Sequence, residues 1–189
     1  MRLRAAALAL AVLCASVPAS AATDMIGLYT DLSASSCSAP LTPYQAVTVY
    51  VMATLDRLDA VSAAEFSLDG YPGNPGYPLG QCTAVWESPL TIGDLDDDFT
   101  LAFLGDAVSG SPVLLGTLEF LAYSENWVDG DHRMTVVRGA EKQNIVLVDG
   151  DYEEHDVLGG EFTFNCSGTC NCGLGGAEAA SISEIKGRY

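Results

Sequence analysis

The residues best suited to chemistry in this sequence are the aspartates, which gather in short runs between apolar segments. A loop with carboxylates at alternate positions supplies several of the six to eight oxygen ligands that calcium takes. Two runs have this spacing and provide five candidate calcium ligands: Asp94, Asp96, Asp98, Asp149 and Asp151. They do not complete a helix-loop-helix calcium motif, because Phe99 and Gly105 stand where that loop needs a glycine and a bidentate glutamate. The sequence predicts an irregular calcium loop, with solvated acidic turns as the alternative.

Motifs of the common enzyme classes are absent from the sequence. The two histidines, His132 and His155, lie beside acidic runs, and no Gly-x-Ser-x-Gly segment supplies a nucleophile. Glycoside hydrolysis needs only two carboxylates, but 25 acidic residues produce pairs by chance. We therefore predict a protein that is not an enzyme, and a small secreted hydrolase ranks third behind two binding functions.

Aromatic side chains are the second group of candidate functional residues, because a flat aromatic ring stacks on the face of a sugar. Tyr71 and Tyr77 border a loop rich in proline and glycine, and Trp127 stands near the end of a predicted strand. These three are the candidate glycan-stacking residues, with a purely structural role in the loop as the alternative for the tyrosines. Trp86, next to Val85, is predicted to pack in the core.

Five cysteines follow the first 21 residues: Cys37, Cys82, Cys166, Cys170 and Cys172. Paired cysteines outside the cytoplasm form disulfides by default. Cys37 and Cys82 are the two isolated ones and are predicted to pair, which leaves one bridge and one odd thiol in the Cys-x-x-x-Cys-x-Cys cluster. Metal ligation by the cluster is the alternative, although structural zinc sites use four ligands and other spacings.

Residues 1–21 have the organisation of a secretory signal peptide. Arg2 and Arg4 precede a short apolar run, and Ala19-Ser20-Ala21 offers the small residues of a cleavage site. The run is shorter than the roughly 20 residues of a membrane-spanning helix. The sequence predicts export, with no transmembrane segment after cleavage, and a location that is secreted or at the cell surface.

The charge of the chain restricts its partners. The formal charge is −17, and loss of Arg2 and Arg4 with the signal leaves 6 basic against 25 acidic residues, or −19. Such a charge repels phosphate backbones and anionic lipid surfaces. Nucleic acid is therefore excluded, whereas a protein, a neutral polysaccharide or a divalent cation is compatible.

Alternation with period two dominates the rest of the sequence. In one segment Val47, Val49 and Val51 fall on one side while Thr48 and Tyr50 fall on the other, the pattern of a strand with one dry face. Eight segments are predicted strands: Met25–Thr30, Gln45–Leu55, Ala64–Asp69, Phe99–Phe103, Val113–Tyr123, Met134–Arg138, Asn144–Asp149 and Val157–Asn165. Asp-Gly pairs at 69–70, 129–130 and 149–150 mark tight turns. Only Asp56–Ala64 and Ala177–Tyr189 have helix-like composition. We predict an all-β sandwich over 22–166, with a Cys/Gly-rich linker and C-terminal tag over 167–189.

Several of these segments resemble cohesin-type domains: Val47–Leu55, Val61–Gly70, Leu115–Leu121, Ile145–Gly150 and Val157–Phe164. In that family an early strand precedes one with a G/A-x-x-F-x-L core, and a G-x-L-x-F strand follows. The resemblance covers roughly Met25 to Asn165. It implies a cohesin-like β-sandwich of the jelly-roll type with about nine strands, a topology similar to that of carbohydrate-binding modules. The expected function is a binding or structural module, with a carbohydrate-binding module as runner-up.

The end of the sequence is similar to the short S-x-x-I-K-x-x-Y ends of many secreted bacterial proteins of unknown function. The match is Ser183–Tyr189, and those proteins often share the G-L-Y-x-D seen at Gly27–Asp31, followed by an isolated cysteine like Cys37. The pattern departs at Ile182, where that family commonly has tryptophan. The resemblance implies a short helical or disordered tail that acts as a sorting or docking tag.

Overall fold

The computed structural model describes residues 23–71, 80–123, 130–170 and 172. The predicted signal peptide, the terminal tag, Tyr77 and Trp127 lie outside these residues. The described part of the chain holds no helix of the length and apolarity needed to cross a bilayer. Its regular structure consists of fourteen strands: β1 (Met25–Tyr29), β2 (Ser38–Ala39), β3 (Ala46–Thr54), β4 (Ala60–Val61), β5 (Ala63–Asp69), β6 (Gly80–Trp86), β7 (Leu90–Ile92), β8 (Phe99–Ala102), β9 (Val108–Ser109), β10 (Val113–Ala122), β11 (His132–Val137), β12 (Ile145–Val148), β13 (Glu154–Gly159) and β14 (Glu161–Phe164).

Twelve of the described strands form one hydrogen-bonded sheet that folds over on itself as a sandwich, ten of them along a single strand path from β2 to β6. One layer runs β1-β3-β10-β6, and β13 joins it to the other layer, because Leu158 and Gly159 pair with β1 while Glu154–Val157 pair with β12. The other is centred on β5, which pairs with β11 and β12 along one edge and with β8 along the other. The layers meet where Phe66 of β5 contacts Trp86 of β6, with ring centroids 6.2 Å apart.

The alternation of the sequence places the apolar side chains between the layers, as predicted. Val49 and Val51 of β3 and Phe66 and Leu68 of β5 are buried, while Glu65 and Asp69 turn away from the core. Each large side chain buried in this way contributes about 1.5–3 kcal/mol to folding. Trp86 packs against Phe99 with ring centroids 4.4 Å apart, so its predicted role in the core is confirmed.

The Asp-Gly turns differ in how they are built. Gly70 has a φ of 73°, and a Cβ added there would lie 2.1 Å from the carbonyl oxygen of Arg133, so only glycine fits this turn. Gly130 also has a positive φ, of 82°. In the Asp149-Gly150 turn the left-handed position belongs to Tyr152, with a φ of 66°.

Three local predictions are wrong. The segment 157–165 is two strands, because the chain crosses between layers at Gly160, whose N–H donates to Ile26 and whose carbonyl accepts from Val136. The helix-like segment 56–64 contains β4 and no helix. Its backbone N–H groups at Asp56, Arg57 and Leu58 donate to the buried carboxylate of Asp24, which holds them as a turn. Strand β6 was not predicted.

The disulfide pairing also corrects the sequence prediction. Cys37 is bonded to Cys172 and Cys166 to Cys170, which leaves Cys82 as the free cysteine. The predicted Cys37–Cys82 bridge is wrong because Cys37 lies beside β14, where its carbonyl accepts from the N–H of Thr163, and its sulfur is bonded to Cys172. The Cys82 side chain points between the layers, and its burial raises the pKa of the thiol to about 11.

Candidate binding face

The outer surface of the β5 layer is a continuous face built by five paired strands. Cross-strand partners in a sheet share a face, so the pairings define two parallel rows. The first row is Ile92, Thr100, Glu65, Val146 and Asp156, and the second is Leu90, Ala102, Ala63, Val148 and Glu154. Five strands about 4.8 Å apart make each row about 19 Å long. We call these ten residues the binding face.

The binding face is apolar at one side and acidic at the other. Ile92 and Leu90 on β7 are 65% and 42% exposed. Alanine and valine side chains of β8, β5 and β12 continue the apolar surface, which Thr100 and Glu65 interrupt in the first row. Glu154 and Asp156 on β13 end the two rows with exposed carboxylates. A contiguous exposed apolar surface with a polar rim is typical of a site for a protein partner.

One ion pair stands in the first row of the face. The Lys142 Nζ lies 2.9 Å from the Glu65 Oε2, and both side chains are partly exposed. The hydrogen bond and the charge of Glu65 raise the pKa of Lys142 above its ordinary value. This lysine places a positive charge over a face whose other charged residues, Glu154 and Asp156, are carboxylates.

Lys142 is positioned by the acidic turn between β7 and β8. The carbonyl oxygen of Asp97 accepts from the N–H of Ala140, and the Asp98 carboxylate accepts from the N–H of Glu141 at 3.3 Å. Gly139 packs so closely on this turn that a Cβ there would lie 1.7 Å from Asp98 Oδ1. The turn 94–98 therefore fixes the segment from which Lys142 reaches Glu65.

The acidic turn between β12 and β13 is closed by its own hydrogen bonds. Asp149 Oδ1 accepts from the backbone N–H groups of Asp151 and Glu153 at 2.8 and 3.0 Å, and its Oδ2 lies 2.8 Å from His155 Nε2. Backbone hydrogen bonding at Glu153 and the side-chain hydrogen bond with His155 hold the pKa of Asp149 below its ordinary value. This turn is thus a self-contained cap at the end of the second row.

The five predicted calcium ligands fall in these two turns, which lie at opposite ends of β5. Leu68, near the end of β5, donates to Leu95 in the first turn, while Ser62, just before β5, donates to Val148 beside the second. The two groups therefore do not form a shared site. Within the described residues no three His, Cys, Asp or Glu side chains gather as metal ligands. Calcium at either turn stays a prediction.

Of the predicted glycan-stacking residues, the structure describes Tyr71. Its ring is half-buried and packs edge-on against Phe120, with centroids 6.5 Å apart. Burial raises the pKa of Tyr71, with the neighbouring Cys82 as the next cause. Tyr71 is not part of the binding face, and none of the ten residues of that face is aromatic.

Sequence reasoning missed the face itself. The outward residues of the face on β5 and β8 could be recognised as the polar or small positions of alternating segments. Strand β7 was not predicted, and its two exposed apolar residues, Leu90 and Ile92, complete the rows. The sequence feature that could have indicated β7 is Leu90-Thr91-Ile92, a short alternation that places its two apolar residues on the outer side of the sheet. A three-residue strand is too short to recognise without its partner β8.

No family model matches the sequence, and no curated protein matches it. Among solved structures the fold is similar to cohesin modules. The cohesin module of a family 33 glycoside hydrolase from Clostridium perfringens superposes with a TM-score of 0.50 at 10% identity, over 76% of this chain and 96% of that module. The sixth cohesin of scaffoldin B from Acetivibrio cellulolyticus, solved in complex with a Cel5 dockerin, has a TM-score of 0.50 at 12% identity, over 77% and 99% of the two chains.

Identities this low establish a shared fold and nothing further. The chain has a cohesin-like, all-β sandwich fold, as its resemblance to cohesin-type domains predicted.

Proposed function

We propose that this chain is an exported, non-catalytic module that binds a protein partner through the binding face. The observation that carries the proposal is the pair of five-residue rows, in which six of the ten side chains are apolar and none is aromatic, across a surface about 19 Å wide. The similar cohesin of scaffoldin B was solved with a protein, a dockerin, bound to it. The signal-peptide pattern of residues 1–21 supports export, to the extracellular space or the cell surface.

The chemistry of the face specifies the partner further. Leu90 and Ile92 need an apolar complement, whereas Glu154 and Asp156 at the other end need cations. A partner that offers an apolar patch bordered by lysine or arginine satisfies both needs, and the net charge of the chain favours encounter with such a surface.

Asp24, the buried acidic residue in the described part of the chain, has hydrogen bonds that support a function without catalysis. Asp24 is fully buried, and its carboxylate accepts from three backbone N–H groups and from the side chain of Arg57 at 3.0 Å. Burial acts to raise the pKa of Asp24, but these hydrogen bonds outweigh burial and hold the pKa below its ordinary value. A carboxylate held by four hydrogen bonds is a structural clamp, and its lowered pKa makes it a weak base for taking a proton from a substrate.

The binding face also favours a protein over a polysaccharide. Sugar-binding surfaces depend on exposed aromatic rings, and the rows of this face carry aliphatic, threonine and carboxylate side chains instead. The carbohydrate-binding alternative therefore draws no support from the face.

The test first captures a binding protein and then measures its affinity for the domain. The mature domain is immobilised, extracellular proteins of the producing organism are passed over it, and a retained protein is purified and titrated by calorimetry. Replacing Ala102 with arginine places a long charged side chain in the middle of the second row. We expect Ala102→Arg to weaken binding of the purified partner by at least about tenfold, or about 1.4 kcal/mol.

Thr48→Arg is the matched control, because Thr48 is exposed on β3 in the opposite layer. Equal loss of affinity in both variants would show that the face is not the site. Depletion of the domain by insoluble polysaccharides, unaffected by Ala102→Arg, would replace the proposal with a carbohydrate-binding module.

A further inference from the structure

Strand β6 ends the layer opposite the binding face with a long edge that no described strand covers. It pairs with β10 over its full seven residues, and no other strand of the described chain pairs with its outer edge. Edge strands are normally kept short or carry charges or proline, because their free backbone groups attract further strands. The other described strands that end the sheet, β2 and β7, have two and three residues. β6 is long, and its sequence Gly-Gln-Cys-Thr-Ala-Val-Trp contains neither charge nor proline.

The hydrogen-bond pattern identifies the free groups of this edge. Glu87, just after β6, donates its N–H to Leu115 of β10 at 3.0 Å. Hydrogen-bonded positions alternate along an antiparallel ladder, so Val85, Thr83 and Gln81 bond to β10 as well. The N–H and C=O groups of Trp86, Ala84 and Cys82 therefore point away from β10, which gives an incoming strand three consecutive bonding positions.

A cavity lies beside the same edge, between β6 and the β7–β8 hairpin. Its volume is about 370 Å³, its wall is formed by Tyr71, Trp86 and Phe99, and its rim carries Asp94 and Asp96. A strand added next to β6 would alternate like β6 itself, whose Cys82, Ala84 and Trp86 point inward. Alternate side chains of that strand would thus point into the cavity.

The lining of the cavity selects the side chain that enters it. Aromatic rings attract a cation through their π faces, and two carboxylates at the rim attract it through charge. A lysine or arginine has an apolar stem for the aromatic wall and a charged head for the rim. The charge of −17 on the whole chain disfavours pairing of β6 with a second copy.

We propose that β6 is a second interaction site, separate from the binding face, which accepts an extended basic segment of another protein as an added strand. The backbone of Cys82, Ala84 and Trp86 forms the ladder, and a lysine or arginine of the segment occupies the aromatic cavity. This is recognition by β-strand addition, in which the backbone provides affinity and the pocket provides specificity.

The probes are labelled nine-residue peptides of alternating threonine and valine, with lysine, norleucine or glutamate at the centre. A fourth peptide carries the lysine at its first position and so keeps the same charge. Fluorescence anisotropy with the mature domain measures affinity, and amide hydrogen exchange reports on Cys82, Ala84 and Trp86. We expect the central lysine to bind at least about tenfold more tightly than norleucine or the displaced lysine. The three amides should become protected in the complex.

Two variants separate the ladder from the cavity. Ala84→Pro removes a free N–H at the edge, where proline is tolerated, and should abolish binding of every peptide, while Ala84→Val keeps the N–H and should bind normally. Asp94→Asn with Asp96→Asn should remove the preference for central lysine and leave the amide protection intact. If Ala84→Pro does not fold, the double variant still tests the cavity, and the exchange measurement on the unmodified domain still tests the ladder.

Three results would overturn the proposal. Equal affinities for all four peptides would eliminate the cavity, and unprotected amides at Cys82, Ala84 and Trp86 would eliminate the ladder. Protection of these amides that grows with domain concentration in the absence of peptide, together with a dimer in sedimentation, would assign the edge to a second copy of the chain.

Discussion

The two acidic turns at the ends of β5 have similar compositions and different structures. The turn 94–98 accepts hydrogen bonds from another segment, residues 139–141, and so positions Lys142 over the binding face. In the turn 149–153 the Asp149 carboxylate bonds within the turn and to His155, and the hydrogen bond from outside is that of the Ser62 hydroxyl to the Asp149 carbonyl at 2.6 Å. A run of aspartates thus carries little information about its role, because the role depends on which N–H groups come within reach.

The largest effect should come from the contact that joins the first turn to its neighbour. Gly139→Ala would place a Cβ 1.7 Å from Asp98 Oδ1 and 3.1 Å from the carbonyl oxygen of Asp97. We expect a loss of about 2 kcal/mol in the free energy of unfolding, measured by urea denaturation. Gly168→Ala is the control, because a Cβ there has nothing within 4 Å. Equal midpoints for the two variants would show that the first turn is as self-contained as the second.

A smaller loss should follow removal of the Asp149 side chain. Asp149→Ala deletes the acceptor of two backbone N–H groups and of His155, and should lower the Tm by less than Gly139→Ala does. Asp151→Ala, in the same turn, removes an exposed carboxylate and should leave the Tm unchanged. If Asp151→Ala were the more harmful change, charge and not hydrogen bonding would hold the turn.

The same carboxylate predicts a pH dependence. Because the pKa of Asp149 is lower in the folded chain than its ordinary value of 3.8, its contribution to stability is present above that value. The contribution is lost as the pH falls through the lowered pKa. Between about pH 4 and 2, the Tm of the unmodified domain should therefore fall more steeply than that of Asp149→Ala. Parallel curves would contradict a carboxylate role for Asp149 in the folded state.

Calcium should have the smallest effect and should distinguish the turns. Asp149 is occupied by hydrogen bonds, while Asp94 and Asp96 remain exposed, so a calcium ion predicted from the sequence belongs in the first turn. We expect millimolar calcium to raise the Tm slightly compared with chelator, in the range of weak extracellular sites. Asp96→Asn should abolish the rise and Asp151→Asn should not. The reverse dependence would move the ion to the second turn.

The fold class could be predicted from local patterns, and the edges of the layers could not. Alternating apolar residues identify β3, β5 and β10, because each of these strands buries one face whatever its neighbours are. β6 escaped detection although Cys82, Ala84 and Trp86 alternate with Gln81, Thr83 and Val85. The reason is that its inward residues are mixed in polarity, and only pairing with β10 makes it a strand.

The sequence by itself determined the β-sandwich class, the buried side of its main strands, the tight turn at Gly70 and the strongly acidic character of the chain. These properties follow from short-range periodicity, backbone sterics and composition. The tertiary structure alone decided that Cys37 bonds to Cys172, that Lys142 reaches Glu65 and that Leu90 and Ile92 complete the binding face. Each of these contacts joins segments that only the tertiary fold brings together, because side-chain chemistry acts over a few ångströms in space, irrespective of separation along the chain.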